Sequence, residues 1–305
     1  MSRWQANALL LMAGAIWGLA FIAQVEGLEH IGPFLFVGLR FLLAALVLLP
    51  FFLLESRRLA VAKGRAASYP VAREWRGFVL IGFALFFGMA FQQVGLMTTS
   101  VTNSGFLTGL YVVFTPLLGL VIFGQRPHPV IWVGAALSFI GIFLLSGGEF
   151  ERLVIGDFLT IVSAVFWALQ VLLIAHLLGN SERAMGLAFV QFLVTGLAGM
   201  AVALVVEPIE LEGILKALPS LAYAGVIAGG LAFTLQVIGQ RHTTAPQAVL
   251  FLATEAPFAA LFGFLFRNER IGTPGLLGCT LILVAILLVE LLPMLRQRRD
   301  SVSNG

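Results

Sequence analysis

The stretch PFLFVGLRFLLAALVLLPFFLL, residues 33–54, decides the fold class. It runs for 22 residues with a single charged side chain, Arg40. A helix needs roughly 20 apolar residues to cross the hydrocarbon core of a bilayer. A surface helix of a soluble protein would instead carry a polar face along such a length. The stretch therefore predicts a transmembrane helix.

The rest of the chain has the same character. Of its 305 residues, 60% are hydrophobic and 11% are charged, and the mean hydropathy is +1.01. A soluble domain carries about 25% charged residues, so most of the surface of this protein must face lipid. Ten stretches are apolar over a sufficient length to span: 6–24, 33–54, 77–97, 103–123, 129–146, 155–178, 186–206, 216–238, 246–266 and 273–293.

The positions of lysine and arginine predict the orientation. With the N-terminus in the cytoplasm, the inner loops and tails hold thirteen of these residues and the outer loops hold four. Because cytoplasmic loops carry the excess of positive charge, both termini, including the tail 294–305, are expected in the cytoplasm. The basic segment 57–76 is expected at the anionic inner leaflet. A net charge of +3 is small, so no nucleic-acid partner is predicted.

The two halves of the chain resemble each other. Residues 15–19 (AIWGL) match residues 165–169 (VFWAL) at an offset of 150, and later helices match at offsets of 151 and 144. The informative matches are polar residues inside apolar helices: Arg40 with Gln191, Gln92 with Gln236, and Asn103 with Gln247. Each half has five predicted helices, an odd number, so the second half enters the membrane from the opposite side.

These observations predict an all-α membrane protein with ten transmembrane helices. Residues 6–146 and 155–293 would form two inverted five-helix repeats around a central cavity. Inverted repeats recur in transporters, where the substrate binds near the midplane between the copies. We therefore expect a small-molecule carrier that works by alternating access. A channel is the less favoured alternative, because channels commonly build a pore from rings of identical groups around an axis.

Polar and aromatic side chains inside the helices are the candidate substrate-binding groups. Polar groups in hydrocarbon line a cavity or pair with a neighbour, and amides both donate and accept hydrogen bonds. This suits a zwitterionic or polar uncharged solute. The predicted set is Trp17, Gln24, Gln92, Asn103, Tyr111, Ser163, Trp167, Gln170, Gln236 and Gln247. The alternative is that the amides bind helices to one another and that the aromatic rings serve ordinary packing.

Glu255 is an acid near the middle of a predicted helix, two residues before Pro257. A carboxyl group buried there could exchange protons near neutral pH, which would allow proton coupling or the recognition of a substrate amine. The alternative is structural: a protonated Glu255 could donate to carbonyl groups left free beside the proline. Pro116 and Pro257 each remove a backbone hydrogen bond and are predicted hinges.

Arg40 lies about 10 Å from the outer end of its helix, at a rise of 1.5 Å per residue. We expect its side chain to reach the outer surface or to pair with Glu26 or Glu29. Binding of a substrate carboxylate is the alternative. Its repeat partner is the neutral Gln191, so the internal symmetry does not require the charge.

Two glycine pairs, Gly14 with Gly18 and Gly225 with Gly229, fit the pattern that lets transmembrane helices approach closely. The pattern predicts close packing, and it leaves homodimerisation open.

Arrangements typical of enzymes are missing from the sequence. It contains neither a G-x-S-x-G nor an H-E-x-x-H motif, and the four histidines lie in loops or near helix ends. The single cysteine, Cys279, excludes an intrachain disulfide and a cysteine-based zinc site. We therefore expect neither catalysis nor a cofactor or bound metal, and the expected partners are the lipid bilayer and a small-molecule substrate.

Several motifs together resemble one known family, the drug/metabolite transporter superfamily, and within it the bacterial ten-helix type built from two EamA-like domains. The resemblance covers residues 6–292, and the motifs that carry it are Ile16–Gly18, Leu39–Ala45, Gly109–Leu118, Gly156–Phe158, Glu255–Pro257 and Asn268–Arg270. Gln125 departs from the family pattern, which often has Glu at this helix end, so any role of that acidic corner would rest on Glu269.

The resemblance implies a carrier in the bacterial inner membrane, proton-coupled or facilitative, and often an exporter of amino acids or toxic compounds. We expect an exporter of amino acids or related metabolites. Export of drugs or amphipathic toxic compounds is the alternative within the same family.

Overall fold

The computed structural model describes residues 1–63, 70–99, 101–145, 154–178, 181–267 and 272–303. Within these ranges the chain forms α-helices and one π-helical segment, and no β-strand occurs. The first half contains α1 (Arg3–Leu28), α2 (Pro33–Lys63), α3 (Ala72–Gly95), α4 (Val101–Thr108), α5 (Tyr111–Phe123) and α6 (Pro129–Leu145). The second half contains α7 (Ile155–Leu178), α8 (Ala184–Val206), α9 (Leu211–Lys216), α10 (Leu218–Ala222), the π segment (Tyr223–Ala232), α11 (Phe233–Gln240), α12 (Ala245–Leu252), α13 (Glu255–Arg267) and α14 (Thr273–Ser303).

Membrane-spanning helices dominate the described chain. Seven helical stretches are long and apolar enough to cross a bilayer, and three shorter apolar helices accompany them at Tyr111–Phe123, Pro129–Leu144 and Thr273–Val289. All of them overlap stretches predicted from the sequence. The protein is therefore an all-helical, multi-pass membrane protein.

Three predicted helices are not continuous. The stretch 103–123 is interrupted between α4 and α5 at Gly109 and Leu110, and the stretch 246–266 is interrupted between α12 and α13 at Ala253 and Thr254. The stretch 216–238 contains the π segment. Hydropathy did not predict these irregularities, because each stretch is apolar throughout.

The predicted hinge prolines lie after the two interruptions rather than at them. Pro116 lies within α5, which continues to Phe123. Pro257 lies in the first turn of α13, where the missing N–H group would have no intrahelical acceptor. The freed carbonyl of Ala253 accepts a hydrogen bond from the Ala256 N–H at 3.3 Å. A hinge role for either proline stays a prediction.

Glycines bring the two halves into backbone contact. A Cβ atom on Gly38 in α2 would lie 2.8 Å from the backbone nitrogen of Met200 in α8, and one on Gly199 would lie 2.8 Å from the nitrogen of Gly38. In the same way, a Cβ atom on Gly141 in α6 would lie 2.7 Å from a backbone oxygen of α14. Small residues allow such close approaches in membranes, where packing drives helix association.

The two glycine pairs singled out in the sequence pack inside the molecule. Gly14 and Gly18 of α1 face the start of α13, and a Cβ atom on Gly18 would lie 2.7 Å from a backbone nitrogen there. Gly225 and Gly229 face α2, and a Cβ atom on Gly225 would lie 2.9 Å from a backbone oxygen of that helix. Both pairs are therefore used for contacts within one chain.

Two glutamates join α2 and α8 at both ends. The Glu207 carboxylate, which follows the last residue of α8, accepts hydrogen bonds from the N–H groups of Phe34 (2.8 Å) and Leu35 (2.7 Å) at the start of α2. The Glu55 carboxylate, near the end of α2, accepts from the N–H groups of Met185 (3.0 Å) and Gly186 (2.8 Å) at the start of α8. These N–H groups lack intrahelical acceptors, and the helix dipole favours an anion beside them.

The helices of the first half pack mainly against those of the second. α1 contacts the π segment, α11, α12 and α13, whereas α7 contacts α3, α4 and α5. α2 packs along α8, and α6 packs along α14. α1 and α7 consequently lie centrally and border the same internal space.

Candidate substrate cavity

A cavity lies between the two halves. Its wall is built from residues of α1, α2, α3, α4, α5, α7, α11, α12 and α13. The lining residues are Trp17, Ala20, Phe21, Gln24, Arg40, Met89, Gln92, Thr108, Tyr111, Trp167, Val171, Phe233, Gln236, Leu252 and Glu255. Seven of these were predicted from the sequence as binding or acidic site residues: Trp17, Gln24, Gln92, Tyr111, Trp167, Gln236 and Glu255.

Three aromatic rings form one side of the cavity. The ring of Phe233 lies 4.6 Å from that of Trp17 and 5.8 Å from that of Trp167, measured between centroids, and the two tryptophan rings are 6.5 Å apart. The Trp17 indole N–H donates to the Ala228 carbonyl at 3.0 Å. The Trp167 indole N–H has no acceptor among the described residues. The wall thus offers a large apolar surface and one free donor.

The amides of α3 and α11 belong to hydrogen-bond networks. Gln92 donates to the Thr108 hydroxyl at 2.9 Å across α3 and α4. Gln236 donates to Gln170 at 3.2 Å, and Gln170 donates to Gln191 at 3.2 Å. The side-chain oxygen of Gln236 has no donor among the described residues. It is therefore an acceptor that a solute could use.

Arg40 is the charged residue that sequence reasoning misplaced. Its side chain is 1% exposed, so the expectation that it reaches the outer surface is wrong. The guanidinium donates to the Gln24 side-chain oxygen at 3.2 Å and lies over the rings of Phe36 (5.7 Å) and Phe41 (4.9 Å). Within the described chain no carboxylate forms an ion pair with it. The expected pairing with the glutamates that end α1 is likewise not seen.

Glu255 is the first residue of α13 and lies at the interruption that follows α12. It is partly buried and lines the cavity. The buried Tyr111 at the start of α5 approaches the Glu255 carboxyl with its hydroxyl. The two interrupted helices therefore bring an acid and a phenol together at the cavity wall.

Other predicted residues lie outside the wall. Ser163 is fully buried in α7, and Gln170 lies behind Gln236 as its hydrogen-bond partner. The Gln247 side chain accepts hydrogen bonds from the hydroxyls of Thr243 and Thr244, each at 3.2 Å, near the start of α12.

Some predictions fall outside the described part of the chain. Asn103 belongs to α4, but its side chain is not among those described. Glu269 and its neighbours Asn268 and Arg270 also lie outside the described residues. Gln125, which departs from the family pattern, is exposed beyond the end of α5 and follows Gly124 in a left-handed conformation.

The cavity also contains residues that sequence reasoning did not select. Phe233 lies three residues before Gln236, so it shares a helical face with a selected residue, and this spacing could have identified it. Met89 carries the same signal, since it lies three residues before Gln92, whereas Thr108 carries none. Thr108 is identified only by its hydrogen bond to Gln92, which connects residues 16 positions apart.

Comparison with known proteins agrees with this architecture. The model of the EamA-like transporter family matches residues 4–147 and again residues 154–291. An uncharacterized transporter of Archaeoglobus fulgidus is 30% identical over 292 residues, which cover 95% of this chain and 87% of the relative. A probable amino-acid metabolite efflux pump of Escherichia coli K12 is 26% identical over 304 residues, which cover 94% of each chain.

A solved crystal structure shares the fold. It superposes with a TM-score of 0.75 at 19% identity and covers 95% of this chain and 98% of its own. The resemblance noted in the sequence is confirmed by the two matches to the family model. The chain belongs to the EamA-like transporter family, whose model it matches once in each half.

Proposed function

We propose that this protein is an alternating-access exporter of small organic metabolites, with amino acids or related compounds as its substrates. The observation that carries the proposal is the cavity between the halves, whose wall combines aromatic rings, amides, one arginine and one glutamate. Such a wall offers hydrogen bonds of both polarities, both charges and an apolar surface. The name of the Escherichia coli relative, a probable amino-acid metabolite efflux pump, favours the same class of substrate.

The internal pairing of the helices supports ten transmembrane helices in two inverted repeats. α1 packs against α11 and α13, and its repeat counterpart α7 packs against the counterparts of those helices, α3 and α5. Glutamates cap the N–H groups of residues 34 and 35 in α2 and of residues 185 and 186 in α8. These two pairs of residues are 151 positions apart, which is the repeat offset of these helices. Exchange of conformation between two such copies would open a central site first to one side and then to the other.

The expected location is the inner membrane with both termini in the cytoplasm, as the lysine and arginine distribution indicates. A relative in Escherichia coli K12, 25% identical over 286 residues, is named as an uncharacterized inner membrane transporter. In this orientation α2 crosses from the outer to the inner surface, and α8 crosses in the opposite direction.

The test is counterflow in proteoliposomes loaded with unlabelled amino acids, measured with radiolabelled amino acids with and without a pH gradient. We expect exchange that saturates with solute concentration and that falls at least about tenfold in Gln92→Ala and Gln236→Ala, because each loses hydrogen bonds in a buried site. Gln125→Ala is the matched control, since its side chain is exposed. Uptake that rises linearly with solute concentration and shows no counterflow would instead identify a pore.

Export of drugs or other amphipathic compounds is the second candidate. The observation in its favour is the cluster of Trp17, Trp167 and Phe233, whose rings pack within 6.5 Å of one another and form an apolar surface. This candidate predicts that hydrophobic amines exchange in the same proteoliposomes and that amino acids do not. The architecture would be the same in either case.

A further inference from the structure

The charges at the cavity suggest how a substrate would be held. Arg40 is buried at 1% exposure, and its hydrogen-bond partner Gln24 is neutral. Its Nε atom has no acceptor among the described residues. A buried charge is costly unless an opposite charge and hydrogen bonds compensate it. The guanidinium can form two parallel hydrogen bonds with a carboxylate, so a carboxylate in the cavity would supply what the protein lacks here.

The second charged group that lines the cavity is Glu255. It lies where α12 ends and α13 begins, and it lines the same cavity as Arg40. The neighbouring Tyr111 hydroxyl approaches it but has no hydrogen bond of ordinary geometry among the described residues. An ammonium group has three donors, which Glu255 and Tyr111 together could accept.

Arg40 and Glu255 contact α1 at different levels of that helix. The Arg40 guanidinium is hydrogen-bonded to Gln24. The backbone of Glu255 lies against Gly18, where a Cβ atom would be 2.9 Å from the Glu255 carbonyl oxygen. Six residues of helix separate these contacts, which is about 9 Å at 1.5 Å per residue. A small zwitterion between the two groups would form a charge-assisted hydrogen bond of about 2.8 Å at each end.

The aromatic surface lines the same cavity. Trp17, Phe21 and Gln24 occupy positions i, i+4 and i+7 of α1 and therefore share one face. Trp167 and Phe233 continue the surface from α7 and α11. A substituent on the zwitterion would pack against these rings, which favours apolar and aromatic side chains.

We propose that Arg40 binds the carboxylate and Glu255 the ammonium group of an α-amino acid whose side chain packs against Trp17, Trp167 and Phe233. This inference rests on the proposed function and specifies how the same cavity would select its substrate. The charged groups confer the preference for a zwitterion, whereas the rings confer the preference among side chains.

The test uses the full-length protein purified in detergent and four related probes. These are phenylalanine, phenylalaninamide, 3-phenylpropionate and phenethylamine, which keep the same ring and differ in the carboxylate and the amine. Each competes with radiolabelled phenylalanine, and direct binding of each is also measured by calorimetry. In the wild type we expect phenylalanine to bind at least about tenfold more tightly than the amide, since a hydrogen-bonded charge pair contributes about that factor.

Substitutions assign the two preferences to the two residues. Arg40→Gln should abolish the preference for phenylalanine over the amide, and Arg40→Lys should retain part of it because it keeps the charge. Glu255→Gln should abolish the preference for phenylalanine over 3-phenylpropionate. Arg57→Gln is the matched control, since this arginine lies on the same helix and is exposed. Thermal unfolding of each variant checks that it is folded.

The outcomes separate this inference from the proposed function. If the wild type exchanges amino acids but binds phenylalanine and its amide equally, the inference is overturned and the exporter stands. The inference is also overturned if folded Arg40→Gln keeps the wild-type preference. If the wild type binds phenethylamine alone among the four probes and no amino acid is exchanged, both the inference and the proposed substrate class fail. The wild-type comparison is decisive even if Arg40→Gln does not fold.

Discussion

Removal of the Glu207 carboxylate should destabilise the protein measurably. In Glu207→Ala the N–H groups of Phe34 and Leu35 lose acceptors at 2.8 and 2.7 Å. A hydrogen bond to a charged group contributes about 1.5–3 kcal/mol, and the helix dipole adds about 0.5 kcal/mol. Because Glu207 is only partly buried, water can form some of the hydrogen bonds that the carboxylate made and so offset part of the lost stability. We expect a loss of about 2–3 kcal/mol for Glu207→Ala, and a smaller loss for Glu207→Gln, which keeps an acceptor oxygen.

The assay is thermal unfolding in detergent, followed with a thiol-reactive dye on Cys279. This is the only cysteine of the chain and it is partly buried, so its exposure reports unfolding. At about 2–4 °C per kcal/mol, Tm should fall by about 4–12 °C. Glu210→Ala is the control, since Glu210 is exposed and its side chain caps no helix.

The partner glutamate gives a second check on the same reasoning. Glu55 caps the opposite end of the α2–α8 pair, about 30 Å away at 1.5 Å per residue. The effects of Glu55→Ala and Glu207→Ala should therefore add within about 0.5 kcal/mol. The expected loss of stability corresponds to a clear fall in Tm, at about 2–4 °C per kcal/mol. If the Tm values of Glu207→Ala and Glu210→Ala differ by only about 1 °C, well below that expected fall, the assigned role of the Glu207 carboxylate is refuted.

Two further substitutions test the packing and the cavity. Gly38→Ala should lower Tm by several degrees, because its Cβ atom would lie 2.8 Å from a backbone nitrogen of α8, whereas Gly105→Ala should not, because nothing lies within 4 Å of a Cβ atom there. An equal Tm for the two variants in the same dye assay would contradict the close helix contact. Trp167→Phe should reduce counterflow several-fold by removing a free donor and part of the ring surface, whereas Trp132→Phe on the exposed face of α6 should leave it unchanged. Equal counterflow in both tryptophan variants would argue against a role of this ring in binding.

Hydropathy predicted the spanning stretches well, because the need to bury about 20 residues in hydrocarbon is a local property of the chain. The interruptions within those stretches were not predicted. At Gly109 and Leu110, and at Ala253 and Thr254, the residues are as apolar or as small as their neighbours, so composition gives no sign of a break. Their irregular backbone is tolerated in a membrane only where protein or a cavity surrounds it, which is a property of the packed molecule.

The candidate site was predicted in part. Trp17, Gln92 and Gln236 were selected because polar or aromatic groups matched between the halves, and all three line the cavity. Ser163 and Gln247 met similar criteria but point elsewhere, since periodicity shows that residues share a helical face and does not show what that face contacts.

By itself, the sequence determined that this protein is a multi-pass helical membrane protein and that its motifs resemble the EamA-like transporters. Both follow from features that the chain carries locally: long apolar stretches and residues at fixed spacing. The tertiary structure alone decided the environment of Arg40, because nothing in residues 33–54 shows whether its guanidinium meets water, a glutamate or a cavity. It also decided that Glu255 faces the same cavity as Arg40. These residues are 215 positions apart in the chain. The packing of α1 against α13, and of both α1 and α2 against the π segment, brings them to one cavity.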